Sequence, residues 1–316
     1  MGIYLGLDTS NYSTSIAVYD SEKQNFQMYR RLLPVPENQV GLRQSDAVFY
    51  HVKQLSSVVH EITRQCGGFP KAVSAIGVSA FPRRVENSYM PCFLVGKMVA
   101  ECLGEVLNCS VYPFSHQEGH VLAALYSSKS LDLLKRPFLA FHISGGTTEA
   151  LLVSLEKDDK ITTECVAKTL DLHAGQLVDR VGVMLGCRFP AGPELERLAL
   201  NWKSEICVRA TLKGNDICLS GVQNQCESLY RKTGNAELVA RFCLESIRVS
   251  LERMTENLIR EYGNLPIVFS GGVMSNQIIK NELIGKGDFR FAEPAFSADN
   301  AAGIALLAAL REEKHE

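Results

Sequence analysis

Two histidines four residues apart, in Ser115-His116-Gln117-Glu118-Gly119-His120, carry the sharpest chemical signal in the chain. If a helix starts at Ser115, the imidazoles of His116 and His120 lie one turn apart on one face. That placement suits two nitrogens binding one metal ion. A zinc peptidase of the H-E-x-x-H type needs its general-base Glu directly after the first His; here that position is Gln117, and the peptidase reading fails. Glu118 has two readings, a catalytic carboxylate or the second half of a Ser115-x-x-Glu118 capping box. Far along the chain, Asp299 in Ser297-Ala298-Asp299-Asn300 is an N-cap for a last helix or the third member of an N,N,O metal site.

Two glycine turns form the second signal. Ser144-Gly145-Gly146-Thr147 follows one apolar strand and Gly271-Gly272-Val273-Met274-Ser275-Asn276 follows another, the latter leading into a helix whose N-terminus favours an anion. Neither matches a P-loop or dinucleotide spacing, and each read singly is a turn as readily as a site. Placing Ser10 over Ser144 aligns Leu7–Thr14 with Phe141–Thr148, an apolar strand, a small polar turn and a second apolar strand in both. That echo suggests a duplicated unit whose facing turns grip phosphate. The basic pair Arg83-Arg84 reads as a phosphate or RNA contact or as a solvated loop.

These residues need two lobes of strands and helices to position them. Ile3–Asp8, Tyr12–Tyr19 and Phe26–Leu33 read as a meander of strands. Val48, Val52, Leu55, Val59 and Ile62 mark one buried face of a helix over Gln44–Cys66. A strand at Val73–Ala80, a helix at Pro91–Leu107, a strand at Ser110–Pro113 and a helix from Ser115 follow. Lys135-Arg136-Pro137 marks the boundary between an N-terminal lobe, 1–136, and a C-terminal lobe, 137–316. Beyond it, strands at Phe138–Ile143, Ala150–Leu155, Ile161–Val166 and Pro266–Ser270 alternate with helices at Ala174–Leu185, Glu194–Leu200 and Ala236–Arg260. A helix from Asn276 comes next, and a last helix, 299–310, is expected to pack back at the cleft between the lobes.

Length and composition agree with this reading. The 316 residues make about two domain lengths, and 46% hydrophobic with 22% charged residues excludes a disordered chain, a coiled coil or a collagen repeat. No apolar run approaches the ~20 residues of a membrane helix, and the N-terminus starts as a strand without a signal or myristoylation pattern, so a cytoplasmic protein is expected. The formal charge of −2 argues against a protein that coats nucleic acid. Ten cysteines without a Cys-x-x-Cys read as small buried hydrophobes in a reducing compartment.

Taken in order, the pieces resemble the catalytic subunits of tRNA threonylcarbamoyladenosine synthase, a family formerly called O-sialoglycoprotein endopeptidase or glycoprotease. The resemblance runs essentially end to end, through Asp8-Thr9-Ser10, His116-x-Glu118-Gly119-His120, Ser144-Gly145-Gly146-Thr147 and Ala174-Gly175-x-x-x-Asp179. It continues through Pro190-x-Gly192-Pro193, Ser220-Gly221, Gly271-Gly272-Val273-x-x-Asn276 and Asp299-Asn300-Ala301. It implies an α/β fold of the two-lobed actin/Hsp70/sugar-kinase type, with duplicated lobes and a central cleft. It further implies one metal ion, iron or zinc, on His116, His120 and Asp299, with Asp8, Ser10 and Glu118 at the chemical centre. Ser144, Gly145, Gly146, Thr147, Asp179, Gly192, Gly271, Gly272 and Asn276 would bind an adenine nucleotide or acyl-adenylate. The implied reaction moves a threonylcarbamoyl group from threonylcarbamoyl-AMP to the N6 amine of the tRNA adenosine next to the anticodon. The implied partners are small proteins, including a paralogue of the same fold, and no membrane.

The chain also departs from the family pattern. The family reads Glu-Thr-Ser-Cys-Asp-Glu-Thr at the first turn, where this chain has Asp8-Thr9-Ser10-Asn11-Tyr12-Ser13-Thr14. The His of Ser-Gly-Gly-His-Thr is Thr147, the Glu of Ala-Gly-Glu is Gln176, and the Lys after Ser-Gly-Leu is Gln223. Phe81-Pro82-Arg83-Arg84 replaces a glycine-proline-glycine loop. The alternative reading is therefore a divergent paralogue that transfers a carbamoyl or acyl group, or hydrolyses ATP, on another acceptor, or a nucleotide-binding partner subunit.

Overall fold

The computed structural model describes residues 2–10, 12–34, 42–65, 68–70, 72–156, 161–293, 296 and 300–313. The chain divides into two compact units, Met1–Lys129 with Ala295–Glu316, and Ser130–Pro294.

The first unit is built on a five-stranded sheet. Strands β1 (Ile3–Ser10), β2 (Ser13–Asp20) and β3 (Asn25–Leu32) form an antiparallel meander; β4 (Val73–Phe81) and β5 (Ser110–Ser115) add in parallel on the other side of β1, giving the order β3-β2-β1-β4-β5. Period-2 alternation sorts the side chains of the central strands. Leu5, Leu7, Ile76 and Val78 join a core with Val58 and Ile62 of helix α1 (Gln44–Gln65) and Val95 and Ala100 of helix α2 (Phe93–Leu107). Gly6 and Gly77 point the other way, toward the closing helix Ala301–Glu312, and the same alternation puts Asp8 and Ser79 on that face. Helix α3 (His116–Ser127) packs beside the closing helix.

The face of α1 differs from the expected one. Its buried residues are Ala47, His51, Leu55, Val58 and Ile62, while Val52 is exposed. The apolar spacing did not register His51, which is buried with its Nδ1 2.8 Å from the Thr14 hydroxyl.

The second unit repeats the plan. Strands β6 (Phe138–Ile143), β7 (Thr148–Leu155) and β8 (Ile161–Lys168) form the antiparallel meander. Between it and the parallel strands run α4 (Ala174–Met184), α5 (Gly192–Asn201), the short hairpin β9 (Leu212–Lys213) and β10 (Asp216–Ile217), α6 (Ser220–Thr233) and α7 (Ala236–Tyr262). Strand β11 (Ile267–Ser270) joins β6 in parallel, and after α8 (Gln277–Leu283) strand β12 (Phe289–Phe291) joins β11. The order β12-β11-β6-β7-β8 matches that of the first sheet strand for strand, so the echo between residues 7–14 and 141–148 is a true topological duplication. Leu139, Phe141, Ile143, Ile267 and Phe269 pack on Val181, Leu244, Ile247 and Leu251 to make its core.

The observed division corrects the expected boundary of 136/137. The closing helix belongs to the first unit and not to the C-terminal lobe. The reason is packing: residues Ala301–Ala309 are buried throughout, and burial of Ile304, Leu306 and Leu307 contributes about 1.5–3 kcal/mol each. The contact is backbone against backbone. A Cβ built on Gly6 would lie 2.1 Å from the Ala301 carbonyl oxygen, and one on Gly303 would lie 1.9 Å from that of Gly119. Glycine is the residue that allows such an approach. Gly303→Val is therefore expected to lower the thermal midpoint of the first unit by several degrees, from overpacking of about 1–3 kcal/mol, in a differential scanning calorimetry trace.

Candidate functional site

The site in the first unit is organised by Asp8. Its carboxylate, 1% exposed, accepts hydrogen bonds from the Ser10 backbone N–H at 2.7 Å, the Ser79 hydroxyl at 2.7 Å, the Asn300 amide at 2.7 Å and His116 Nδ1 at 2.6 Å. Burial alone would push the Asp8 carboxyl up. The His116 imidazole and the hydrogen bonds from His116, Asn300 and Ser79 override it and hold the group well below the usual carboxylate range. Asp8 thus fixes His116 with its Nδ1 proton on the carboxylate and turns Nε2 outward as a lone pair. His116 Nε2 lies 2.9 Å from His120 Nε2, the two rings edge to face.

Helix α3 sets that convergence. Ser115 is its N-cap, accepting from the Glu118 N–H at 3.1 Å, and Glu118 Oε2 accepts from the Ser115 N–H at 2.6 Å, so the capping box is complete. The Glu118 carboxylate also receives Arg84 Nη2, 3.2 Å from each oxygen. Glu118, expected at the chemical centre, is buried under these donors and holds the helix start. Arg84, read as a phosphate contact or a solvated group, spends its guanidinium on Glu118 and on the Phe81 ring. Among the described residues, the donors to the Asp8 carboxylate are Ser10, Ser79, His116 and Asn300. Ser10 is half-buried at the end of β1. Thr9, beside it, is tied to α2 through the Cys92 carbonyl and the Gly96 N–H. Asp299 and Asn11 lie outside the described residues.

The donor set fits a metal ion at two positions: two imidazoles with Nε2 atoms convergent, one backed by a carboxylate. Among the described residues no group of three or more His, Cys, Asp or Glu is gathered to hold one. The third donor expected, Asp299, stays a proposal.

The second unit holds a separate cavity of about 260 Å³. Of the nine residues expected to bind a nucleotide, Gly145, Asp179, Gly192, Gly272 and Asn276 line it. Gly146 is exposed on the β6–β7 turn, where Ser144 closes the loop: its N–H donates to the Thr147 carbonyl at 2.7 Å and its hydroxyl accepts from the Thr147 N–H at 3.1 Å. Gly271, with φ of 98°, passes so close to β6 that a Cβ there would sit 2.2 Å from the Ile143 carbonyl oxygen. It brings the two glycine turns together without lining the cavity. Asp179 accepts from the Ala191 N–H at 2.8 Å, which anchors the start of α5 at the rim, and Asn276 caps α8 through the Ile279 N–H. Sequence reasoning missed the apolar walls, Val178, Leu244 and Val273, and Glu196, whose carboxylate accepts from the Gln277 N–H at 2.6 Å. Glu196 stands one turn beyond Gly192 on α5, a spacing that could have flagged it.

The cysteines are only partly the buried hydrophobes expected. Cys92, Cys187, Cys226 and Cys243 are buried, but Cys102, Cys165 and Cys207 are exposed. Burial pushes the Cys92 thiol, which lies near the Asp8 charge, up to about 12.

Two matching sheets, each a meander extended by parallel strands and closed by helices, define a protein of the actin/Hsp70/sugar-kinase class. Solved structures share the fold. The activator of the 2-hydroxyisocaproyl-CoA dehydratase from Clostridium difficile with bound ADPNP is 13% identical with a TM-score of 0.54, over 99% of this chain and 96% of that one. HypF from T. kodakarensis is 13% identical with a TM-score of 0.62; the match takes in 99% of this chain and 48% of that one. A ROK family glucokinase from Streptomyces griseus, in complex with glucose and AMPPNP, is 12% identical with a TM-score of 0.51, over 98% and 100% of the two chains. Within this class, the family model of tRNA N6-adenosine threonylcarbamoyltransferase (TsaD) matches residues 38–306. The chain belongs to that family.

The depressed Asp8 carboxyl gives a pH signature. A carboxylate whose folded pKa lies below its unfolded value adds stability above about pH 4 and loses it as the pH falls toward the folded value. Asp8→Asn should therefore melt well below the parent protein at pH 7, with the gap narrowing progressively as the pH falls below about 4 in thermal melts. A gap independent of pH would show that the charge of Asp8 is not what stabilises the site.

Proposed function

We propose that the protein is a metal-dependent acyltransferase that moves a threonylcarbamoyl group from threonylcarbamoyl-AMP to the N6 amine of the tRNA adenosine next to the anticodon. The observation that carries this reading is the His116–His120 pair set by the buried Asp8 carboxylate, in a chain of the threonylcarbamoyltransferase family. The nucleotide analogues named for two similar folds, ADPNP and AMPPNP, support an adenine nucleotide or acyl-adenylate as ligand.

In this reading the residues divide the work. His116, His120 and Asp299 would hold an iron or zinc ion, which would supply Lewis acidity for the acyl transfer. Gly145, Asp179, Gly192, Gly272 and Asn276 hold the adenylate, with Val178, Leu244 and Val273 as apolar walls for the base. Gly145 and Gly272 let the chain backbone approach the ligand closely. The Ser10 hydroxyl, at the end of β1, orients the acyl group. The N6 nitrogen attacks the carbamoyl carbon, a C–N bond forms, the C–O bond to the AMP phosphate breaks, and the amine proton leaves to solvent. Because AMP departs as a stable phosphate anion, the step needs no general acid, which agrees with a Glu118 already engaged at its cap. Positioning supplies most of the rate. The tRNA is brought by small partner proteins, a same-fold paralogue among them, since Arg84 is spent inside the protein and the net charge of −2 offers no broad basic field. No helix among the described residues is long and apolar enough to cross a membrane. A cytoplasmic location belongs to this proposal because its acceptor is tRNA.

One observation favours a second reading. Where the family carries two acids in the first turn, this chain carries Tyr12, 49% exposed, and the buried Ser13. A carbamoyl or acyl transferase acting on another acceptor, or an ATPase, fits that change. Incubation of iron- or zinc-loaded protein with threonylcarbamoyl-AMP, unmodified tRNA and candidate partners separates the two. The expected outcome is N6-threonylcarbamoyladenosine by mass spectrometry of the digested tRNA, reduced at least 100-fold by His120→Ala. AMP release without modified adenosine would replace the tRNA reading with the second; no turnover of either kind would sink the tRNA reading.

A further inference from the structure

Asn300, at the N-cap of the closing helix, makes no capping bond with its side chain. Its amide nitrogen is instead directed into the site: Nδ2 donates to Asp8 Oδ2 at 2.7 Å and to the His116 backbone carbonyl at 2.9 Å. The same nitrogen lies 2.8 Å from His116 Nδ1, so two N–H donors converge on one carboxylate oxygen. Asn300 is 4% exposed, and its Oδ1 is buried with no hydrogen-bond partner among the described residues. The orientation is nonetheless decided by chemistry. A flipped amide would press Oδ1 against two acceptors, the Asp8 carboxylate and the His116 carbonyl. The amide also has a seat made for it, because a Cβ on Gly119 would come within 2.6 Å of both Nδ2 and Oδ1. A residue that leaves an acceptor unsatisfied in order to keep two donor contacts is placed for those contacts.

We propose that Asn300 is a positioning residue that fixes the ring of His116 and couples the docking of the closing helix to the histidine pair. It fixes the ring by two routes. One N–H holds the backbone carbonyl of His116, the first residue of α3, and the other holds the carboxylate oxygen that the ring itself must reach. With Asn300 seated, Asp8 Oδ2 cannot swing away from Nδ1, the proton stays on Nδ1, and Nε2 faces His120. The closing helix carries this residue 292 positions after Asp8, so the pair is assembled only when that helix is docked through Gly6, Gly119 and Gly303. The metal arm of the inference rests on the reading of His116 and His120 as ligands; the ring arm does not.

The test uses Asn300→Ala and the near-isosteric, apolar Asn300→Leu in the full chain, each checked for parent-like circular dichroism. In metal-free protein with ¹⁵N-labelled histidine at alkaline pH, long-range ¹H–¹⁵N spectra of the parent should show His116 as the Nδ1–H tautomer. Both variants should show a mixture with Nε2–H. In a Co²⁺ titration followed by visible absorption, both should bind 10- to 100-fold more weakly than the parent. Variants that keep the Nδ1–H tautomer and Co²⁺ affinity within twofold of the parent would overturn the proposal. Failure of both variants to fold would also overturn it, by making Asn300 a residue of stability alone. A parent that binds no Co²⁺ would remove the metal reading, and the tautomer comparison would still decide the part played by Asn300.

Discussion

A carboxylate taken out of water must be matched by donors, and the first unit is arranged around that demand at Asp8. The four donors come from separate places: Ser10 on its own strand, Ser79 on β4, His116 at the start of α3 and Asn300 at the start of the closing helix. Each element must arrive in register for the charge to be satisfied, because an unpaired buried carboxylate is among the most costly groups a fold can hold. The matching that stabilises the charge also orients the imidazole. Stability and site geometry are therefore one set of hydrogen bonds, and a change that loosens one loosens the other.

Glycine makes this arrangement reachable. Gly6 and Gly77 let the closing helix lie on the sheet backbone, and Gly119 and Gly303 let it lie on α3. With side chains at these positions the helix would stand off by more than an ångström, and Asn300 would no longer reach Asp8. The second unit uses the same device differently. Gly175 and Gly271 bring α4 and β11 against the β6–β7 turn, and the cavity opens beside that contact. One strand order thus serves two purposes, with the first strand carrying a buried acid in one unit and the hairpin turn an exposed glycine pair in the other.

Much of this was legible in the sequence because it is local. The apolar runs of β1 and β6, the capping box at Ser115, the i, i+4 histidines and the long α7 all follow from periodicity or spacing, and the structure has each of them. What could not be read depends on distant partners. Helix α6 escaped notice because it buries little beyond Val222 and Cys226, so its pattern is weak. The face of α1 was misjudged because a polar residue, His51, is part of it. The closing helix was assigned to the wrong unit because its alanine-rich sequence says only that it is buried, not against what. Asn300 was quoted only as part of the Asp299-Asn300-Ala301 motif, and the donors that bury Asp8 were not foreseen, because burial by donors from across the chain leaves no trace in nearest-neighbour sequence.

The buried Asp8 carboxylate fixes the ring of His116, whose Nε2 faces that of His120, and we propose that the two hold one ion. X-ray absorption at the metal edge of zinc-loaded protein tests it most directly. The expected spectrum has the multiple-scattering pattern of two imidazoles bound at about 2.0–2.1 Å. A spectrum of oxygen ligands alone, with no imidazole scattering, would contradict it.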